Sequence, residues 1–205
     1  MISGVFGLPG SGKSSFLAWC AYRAQRGKRL KIGFKPAGGV WLQDQNSKDY
    51  DRIYSNFPLK GCYPVEWDLL GTVDYNNCLI LIDEIMMLCD SRAWKQYPEH
   101  IKYFMSHHRH YHIDVVWCSQ SYKDCDLRIR NLCGQFLYMR SVGGFTRITP
   151  VHHLQDIRNG VIDDWYEPAA FFGSKFLLRK PLYHMFDSHS TLKLPPVPDC
   201  NMWEV

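Results

Sequence analysis

The first segment that could do chemistry is a glycine-rich run near the N-terminus. Residues 7–14 read Gly-Leu-Pro-Gly-Ser-Gly-Lys-Ser and match the pattern G-x-x-x-x-G-K-[ST]. Glycines let backbone N–H groups turn inward around a phosphate, and a helix beginning at the loop adds its positive end. Lys13 would reach the β- and γ-phosphates of ATP, and the Ser14 hydroxyl would ligate Mg²⁺. The predicted nucleotide-binding residues are Gly7, Leu8, Pro9, Gly10, Ser11, Gly12, Lys13, Ser14 and Ser15.

Two carboxylates follow a continuous apolar run in the middle of the chain. Residues 78–82 read Cys-Leu-Ile-Leu-Ile, and Asp83 and Glu84 come directly after them. In a sheet of parallel strands the carboxyl ends line the ligand crevice, so these side chains should meet the phosphate loop. We expect Asp83 to hold Mg²⁺ through water and Glu84 to orient or deprotonate the attacking water. A strand that simply ends in solvated acids is the alternative.

A third apolar run, residues 113–118, is followed by Ser119 and Gln120. Gln120 could hydrogen-bond both the γ-phosphate and the attacking water. Arg109 precedes this run, so it should lie at the opposite edge of the sheet from its own nucleotide. In a ring of subunits, Arg109 could act in trans and stabilise the transition state at the nucleotide of a neighbouring subunit. The alternative is that Arg109 forms an ion pair on the protein surface. Arg128 and Arg130 could serve as second arginine fingers, line a pore or lie on a solvated helix face.

Apolar patterning predicts the elements that position these residues. Continuous apolar runs predict buried strands at 2–6, 78–82 and 113–118, and further strands are expected at 29–34 and 136–140. Helices are expected at 13–26, 97–109 and 127–132, with a weaker one at 49–57. This alternation predicts an α/β fold of the P-loop NTPase kind, a mostly parallel sheet with helices on both faces. Beyond Gly143 the pattern fails, and we expect an irregular C-terminal extension.

The composition fits a globular domain. Hydrophobic residues make up 46% and charged residues 21% of the 205 residues, which excludes a disordered, collagen-like or coiled-coil chain. We expect neither a transmembrane segment nor a secretory signal. Eight singly spaced cysteines indicate reduced thiols in the cytosol. Residues 1–35 carry seven Lys or Arg residues, and the first acidic residue of the chain is Asp44. This basic segment indicates a partner that carries phosphates, or else a helix C-terminus, where cations are favoured.

Taken together, these motifs resemble the Zot family, the zonular occludens toxin-like domain shared with assembly ATPases of filamentous phages. The resemblance covers roughly residues 1–191 and rests on the phosphate loop, the Asp-Glu pair and three later segments. Those segments are His-Arg-His-Tyr-His-Ile-Asp at 108–114, Ser-Gln at 119–120 and Tyr-His-Met-Phe-Asp-Ser-His-Ser-Thr at 183–191. The later segments are much more specific than the loop. The wider resemblance is to the FtsK/HerA class of DNA-pumping ring ATPases.

The resemblance implies an ATP-hydrolysing motor of phage morphogenesis that drives virion assembly, extrusion or DNA packaging. It implies a homo-oligomeric ring, with single-stranded DNA or phage nucleoprotein and other phage assembly or membrane proteins as partners. The alternatives are a duplex-DNA packaging ATPase of a non-filamentous virus and a nucleotide-dependent switch or scaffold without turnover.

The resemblance also bears on location and on the division of the chain. Family members usually continue into a transmembrane helix and a periplasmic domain, whereas this sequence stops at Val205. We therefore expect it in the host cytoplasm, at the cytoplasmic face of the inner membrane, as a cytoplasmic domain or as a short form anchored by a partner. We divide it into a P-loop ATPase core, 1–142, the C-terminal part of the Zot-like domain, 143–191, and an extended tail or linker, 192–205.

Overall fold

The computed structural model describes residues 1–27, 32–34, 40–42, 49–87, 98–158, 161–168 and 174–186. The helices are α1 (Lys13–Gln25), α2 (Glu99–His107) and α3 (Leu127–Leu132). The strands are β1 (Ile2–Phe6), β2 (Ile32–Phe34), β3 (Val40–Leu42), β4 (Arg52–Ser55), β5 (Tyr63–Pro64), β6 (Cys78–Ile82), β7 (Asp114–Ser119), β8 (Cys133–Val142), β9 (Phe145–Arg158), β10 (Val161–Pro168) and β11 (Lys175–Leu178). No helix in these ranges is long and apolar enough to cross a bilayer.

One large sheet organises the described chain. Its strands follow the order β10-β9-β8-β1-β7-β6-β4-β5, and β11 pairs with β9 beside that row. The neighbours from β8 to β5 run parallel, whereas β9 runs antiparallel to β8, β10 and β11. Strands β2 and β3 form a separate antiparallel pair. Because β1 lies between β7 and β8, the loop that follows β1 emerges at the middle of the parallel part.

Side chains of the parallel strands divide between two apolar cores, one on each face of the sheet. Leu79 and Leu81 of β6 pack with α1 on one face, while Ile80 and Ile82 point to the face that α2 and α3 cover. All five residues of β6 are buried, as expected for a strand covered on both sides. The predicted α/β fold, with a mostly parallel sheet and helices on both faces, is confirmed.

Two of our predictions about elements are wrong. Residues 49–57 do not form a helix, because β4 takes up 52–55 and pairs in parallel with β6. Inward-facing Ile53 and Ser55 alternate with more exposed neighbours, which is the period of a strand. The residues after Gly143 are not an irregular extension, since β9, β10 and β11 extend the same sheet. The predicted tail, 192–205, and the first half of the strand predicted at 29–34 lie outside the described residues, while the second half of that strand forms β2.

The boundary predicted at 142–143 falls inside a hairpin. Val142 pairs with Phe145 across the turn between β8 and β9, and Gly143 has a positive φ of 57° there. The residues on both sides of the turn therefore belong to one sheet. This continuity brings side chains from the C-terminal part of the chain up to the phosphate loop.

Candidate nucleotide-binding site

The phosphate loop joins β1 to α1 and is held by residues from distant parts of the chain. The Gly7 amide donates to the Ser119 carbonyl at 3.3 Å, which ties the loop to the end of β7. Thr146 is fully buried, and its hydroxyl donates to the Ser11 carbonyl at 2.9 Å. Gly12 has a φ of 93°, and a Cβ there would lie 1.9 Å from Thr146 Oγ1. Only glycine fits this backbone and this close approach.

Lys13 is the buried cation of the loop. Its side chain is 7% exposed, and Nζ donates to the Gly7 carbonyl at 2.8 Å. Nζ also lies 3.8 Å from Oε1 of Glu84, so the ammonium group stands between the loop and the carboxylates that follow β6. The structure thus brings together the two residues that the sequence predicts for phosphate binding and water activation.

Ser14 and Asp83 meet as the predicted magnesium ligands should. Ser14 Oγ donates to Oδ2 of Asp83 at 2.5 Å, and the other oxygen, Oδ1, is buried without a hydrogen-bond partner among the described residues. Mg²⁺ prefers oxygen ligands and usually takes one or two from the protein, with waters and phosphates completing its shell. A hydroxyl beside a carboxylate with an unused buried oxygen fits this ion.

Glu84 sits in a strained turn beside the loop. Its φ of 51° lies in the left-handed region, which costs a non-glycine residue energy and is common at functional sites. Partial burial raises the pKa of the Glu84 carboxyl, and nearby Asp83 adds to the rise, while Lys13 opposes it. Nε2 of Gln120 lies 3.5 Å from Oε1 of Glu84, so the predicted base and the predicted sensor face the same space.

Asn56 is a site residue that sequence reasoning missed. Its side-chain amide donates to the Asp83 carbonyl at 2.8 Å, and its side-chain oxygen accepts from the Asp83 amide at 2.7 Å. This pair of hydrogen bonds fixes the backbone that presents Asp83 and Glu84. Asn56 is a polar residue that directly follows a strand, and this position would have predicted it as a site residue. The prediction of a helix over 49–57 hid that pattern.

Replacing Asn56 by leucine should lower kcat for ATP hydrolysis roughly tenfold while leaving the KM for ATP within about twofold. Leucine has a similar volume but cannot bond the Asp83 backbone, and small displacements of a catalytic group reduce rate more than binding. Steady-state phosphate release measures both constants. Gln25→Leu is the control, because Gln25 also donates through its side-chain amide to a backbone carbonyl, that of Lys60, but lies at the far end of α1 from the phosphate loop. A fall confined to binding would contradict a positioning role.

Arg179 is a second missed residue. It follows β11, and its Nη1 donates to the Gly10 carbonyl at 3.1 Å, while Nη2 donates to Ser141 Oγ at 3.1 Å and to the Gly143 carbonyl. The guanidinium therefore clamps the phosphate loop to the β8–β9 turn. Sequence reasoning could not place it, because the region after Gly143 showed no clear pattern.

The three candidate arginine fingers differ in accessibility. Arg109 is exposed in the turn between α2 and β7, at the edge of the sheet away from the phosphate loop, where the sequence predicts it. Arg128 is also exposed, at 58% of its side chain. Arg130 is buried, with its guanidinium 4.8 Å from the ring centre of Tyr122. In this structure Arg130 is therefore not placed to reach a neighbouring subunit.

The fold and the site define the class of this protein. A buried strand leads through a glycine-rich phosphate loop into a helix, and two carboxylates end a nearby parallel strand beside the loop lysine. This is the arrangement of a P-loop NTPase.

The chain belongs to the Zot family. The family described as zonular occludens toxin (Zot) matches residues 44–193, which is more than half of the sequence. The match begins after the phosphate loop, so the loop and the family match are separate observations. No curated protein matches the sequence.

Solved structures resemble the fold at low sequence identity. The N-terminal domain of zonular occludens toxin from Neisseria meningitidis is 16% identical, with a TM-score of 0.55, over 91% of this chain and 98% of that chain. The genome packaging NTPase B204 from Sulfolobus turreted icosahedral virus 2, in complex with ATP-gammaS, is 10% identical, with a TM-score of 0.47, over 82% of this chain and 97% of that one. The first likeness supports the fold.

Proposed function

We propose that this protein is a magnesium-dependent ATPase that powers phage morphogenesis, through virion assembly and extrusion or through DNA packaging. The observation that carries the proposal is the meeting of Lys13 and Glu84 at 3.8 Å beside the Ser14–Asp83 pair. A site for binding nucleotide alone needs the loop, whereas hydrolysis also needs a carboxylate near the γ-phosphate. Membership of the Zot family supports the phage setting.

Each residue of the site has a distinct part in the proposed reaction. The loop amides and Lys13 bind the phosphates, and Ser14 and Asp83 would hold Mg²⁺, which neutralises phosphate charge. Glu84 accepts a proton from water as the water oxygen bonds to the γ-phosphorus. The bond from that phosphorus to the β–γ bridging oxygen breaks, and the electron pair leaves with ADP. Gln120 orients the water.

The proposed setting is the host cytoplasm at the cytoplasmic face of the inner membrane. We propose a homo-oligomeric ring that acts on single-stranded DNA or phage nucleoprotein, together with other phage assembly or membrane proteins. The exposed position of Arg109, far from its own phosphate loop, suits a group that acts across a subunit interface. Duplex-DNA packaging for a non-filamentous virus is the second candidate within this class.

The deciding experiment measures phosphate release against protein concentration, with no DNA, with single-stranded DNA and with duplex DNA. A motor that assembles in a ring should show activity that rises more than linearly with concentration and increases with its own nucleic acid. Stimulation by duplex DNA alone would favour the packaging alternative. Tight ATP binding with no turnover under any condition would contradict the proposal and leave a switch or scaffold.

Mixing two inactive variants tests the role of Arg109. Arg109→Ala and Lys13→Ala should each be inactive, but an equal mixture should regain about a quarter of the wild-type activity. Half of the sites in a mixed ring keep Lys13, and half of those face a neighbour that keeps Arg109. Arg128→Ala mixed with Lys13→Ala tests the other exposed candidate in the same way. If the Arg109 and Lys13 variants co-assemble without any gain, Arg109 is not the finger.

A further inference from the structure

The cavity above the phosphate loop has two chemically different ends. It measures about 630 Å³ and is lined at one end by Lys13, Ser14, Glu84 and Gln120, which belong to the phosphate and water chemistry. The other lining comes from the C-terminal part of the chain. There, Arg179, Tyr183 and Phe186 face the start of α1.

We propose that Tyr183 is the stacking platform for the nucleobase of the bound nucleotide, a proposal that rests on the proposed ATPase function. Glu84 and Gln120 mark the γ-phosphate end, so the nucleoside must leave the loop in another direction. The side chains that line the cavity from the C-terminal part of the chain are Arg179, whose guanidinium is bonded to the phosphate loop and to the β8–β9 turn, and the rings of Tyr183 and Phe186. A base presents a flat π-face, and stacking on an aromatic ring is the common way to hold it.

Tyr183 has the exposure that a platform requires. Its side chain is 55% exposed. Tyr183 lies in a short segment, the 3-10 helix Lys180–Met185, in which Leu182 and Met185 are almost fully buried in the core shared with α1. Its position beside an adjoining cleft of about 820 Å³ leaves open space around the ring. A base could therefore lie against Tyr183 without displacing packed side chains.

The segment that carries Tyr183 is held in a fixed place relative to the loop. At its start, Arg179 bonds the Gly10 carbonyl at 3.1 Å, and the Leu182 amide donates to the Arg179 carbonyl at 2.9 Å. At its end, the Lys60 amide donates to the Met185 carbonyl at 2.9 Å. A platform fixed before binding loses less entropy when the base docks.

Phe186 is the less exposed of the two rings in this part of the wall. Its plane is nearly perpendicular to that of Phe57, with 6.4 Å between the ring centres, and its side chain is only partly exposed. It closes the wall beside Tyr183 and joins the segment to the loop that follows β4. Of the two rings in this part of the cavity wall, that of Tyr183 is the more exposed and the more accessible to a base.

Binding of ATP and of inorganic tripolyphosphate, each with Mg²⁺, separates the two ends of the site. By isothermal titration, Tyr183→Ala should raise the Kd for ATP roughly tenfold and leave the Kd for tripolyphosphate unchanged, because stacking acts only on the nucleoside. Tyr183→Leu should behave like the alanine variant, and Tyr183→Phe should stay within about twofold of wild type. Tyr103→Ala is the control, since Tyr103 is similarly exposed on α2, at 53%.

The outcomes distinguish this proposal from the function on which it rests. If wild type binds both ligands and Tyr183→Ala and Tyr183→Leu bind ATP normally, the nucleobase proposal is overturned and the ATPase proposal stands. An equal loss for ATP and tripolyphosphate also overturns it, because Tyr183 would then act on the phosphate loop. If wild type binds neither ligand, the proposed function fails and the platform fails with it.

Discussion

Replacing Lys13 by alanine should reduce ATP hydrolysis at least about 100-fold, the scale expected when one preorganised charged or donor group is lost from a transition state. Lys13 is the only cation among the described residues of the loop, and its amine already points at the loop carbonyls. ATP binding should weaken at the same time, because the same ammonium group contacts the phosphates before and during the reaction.

The fold should survive this change. The alanine variant loses two hydrogen bonds to loop carbonyls and one contact with Glu84, while β1 and α1 keep their apolar packing through Val5, Phe16 and Leu17. Circular dichroism during thermal unfolding tests the fold, and phosphate release with labelled-ATP binding tests the site. Lys102→Ala is the control, because Lys102 forms an exposed pair with Glu99 on α2. Hydrolysis at the wild-type rate would show that the site is misassigned.

The parts of the site that were predictable from the sequence are those encoded by short contiguous segments. The phosphate loop, the Asp83–Glu84 pair and Gln120 each directly follow a buried apolar strand, and parallel strands bring such positions to one edge of the sheet. The pattern of strands in the sequence and their parallel direction are enough to predict that these residues lie close together. Lys13, Ser14, Glu84 and Gln120 line one cavity, and Asp83 is hydrogen-bonded to Ser14.

The residues that escaped prediction depend on register and on long-range contacts. Thr146 and Arg179 reach the loop because β9 folds back on β8 and β11 pairs with β9. These antiparallel strands carry polar and exposed residues, so their apolar alternation is weak. Asn56 contacts Asp83 because β4 lies beside β6. The sequence of a four-residue strand does not predict which strand it pairs with. No local pattern distinguishes such residues from ordinary surface groups.

Glu84 offers the sharper test of chemistry, because the change from carboxylate to amide keeps the shape of the side chain. Partial burial raises the pKa of Glu84, so the folded protein favours its protonated form. The stability that follows from this preference is present at low pH and is lost as the pH rises through the raised pKa. At neutral pH the Glu84→Gln variant should therefore be at least as stable as wild type, as denaturant unfolding will show.

Glu84→Gln should bind ATP with a Kd within a few-fold of wild type, yet turn over at least about 100-fold more slowly, the scale expected for losing a general base. Glutamine can still occupy the space between Lys13 and Gln120, but its amide cannot take a proton from the attacking water. The pH dependence of kcat/KM reports the ionisation of the free enzyme. The raised pKa of Glu84 therefore predicts that wild-type kcat/KM falls with acidification at a higher pH than an ordinary glutamate would give, and that this fall is absent from the residual kcat/KM of the variant. Glu99→Gln, an exposed change on α2, is the control. If the variant loses ATP binding while each bound nucleotide is still hydrolysed at the wild-type rate, Glu84 does not act in the reaction. Its role would then be to bind the metal or to stabilise the fold.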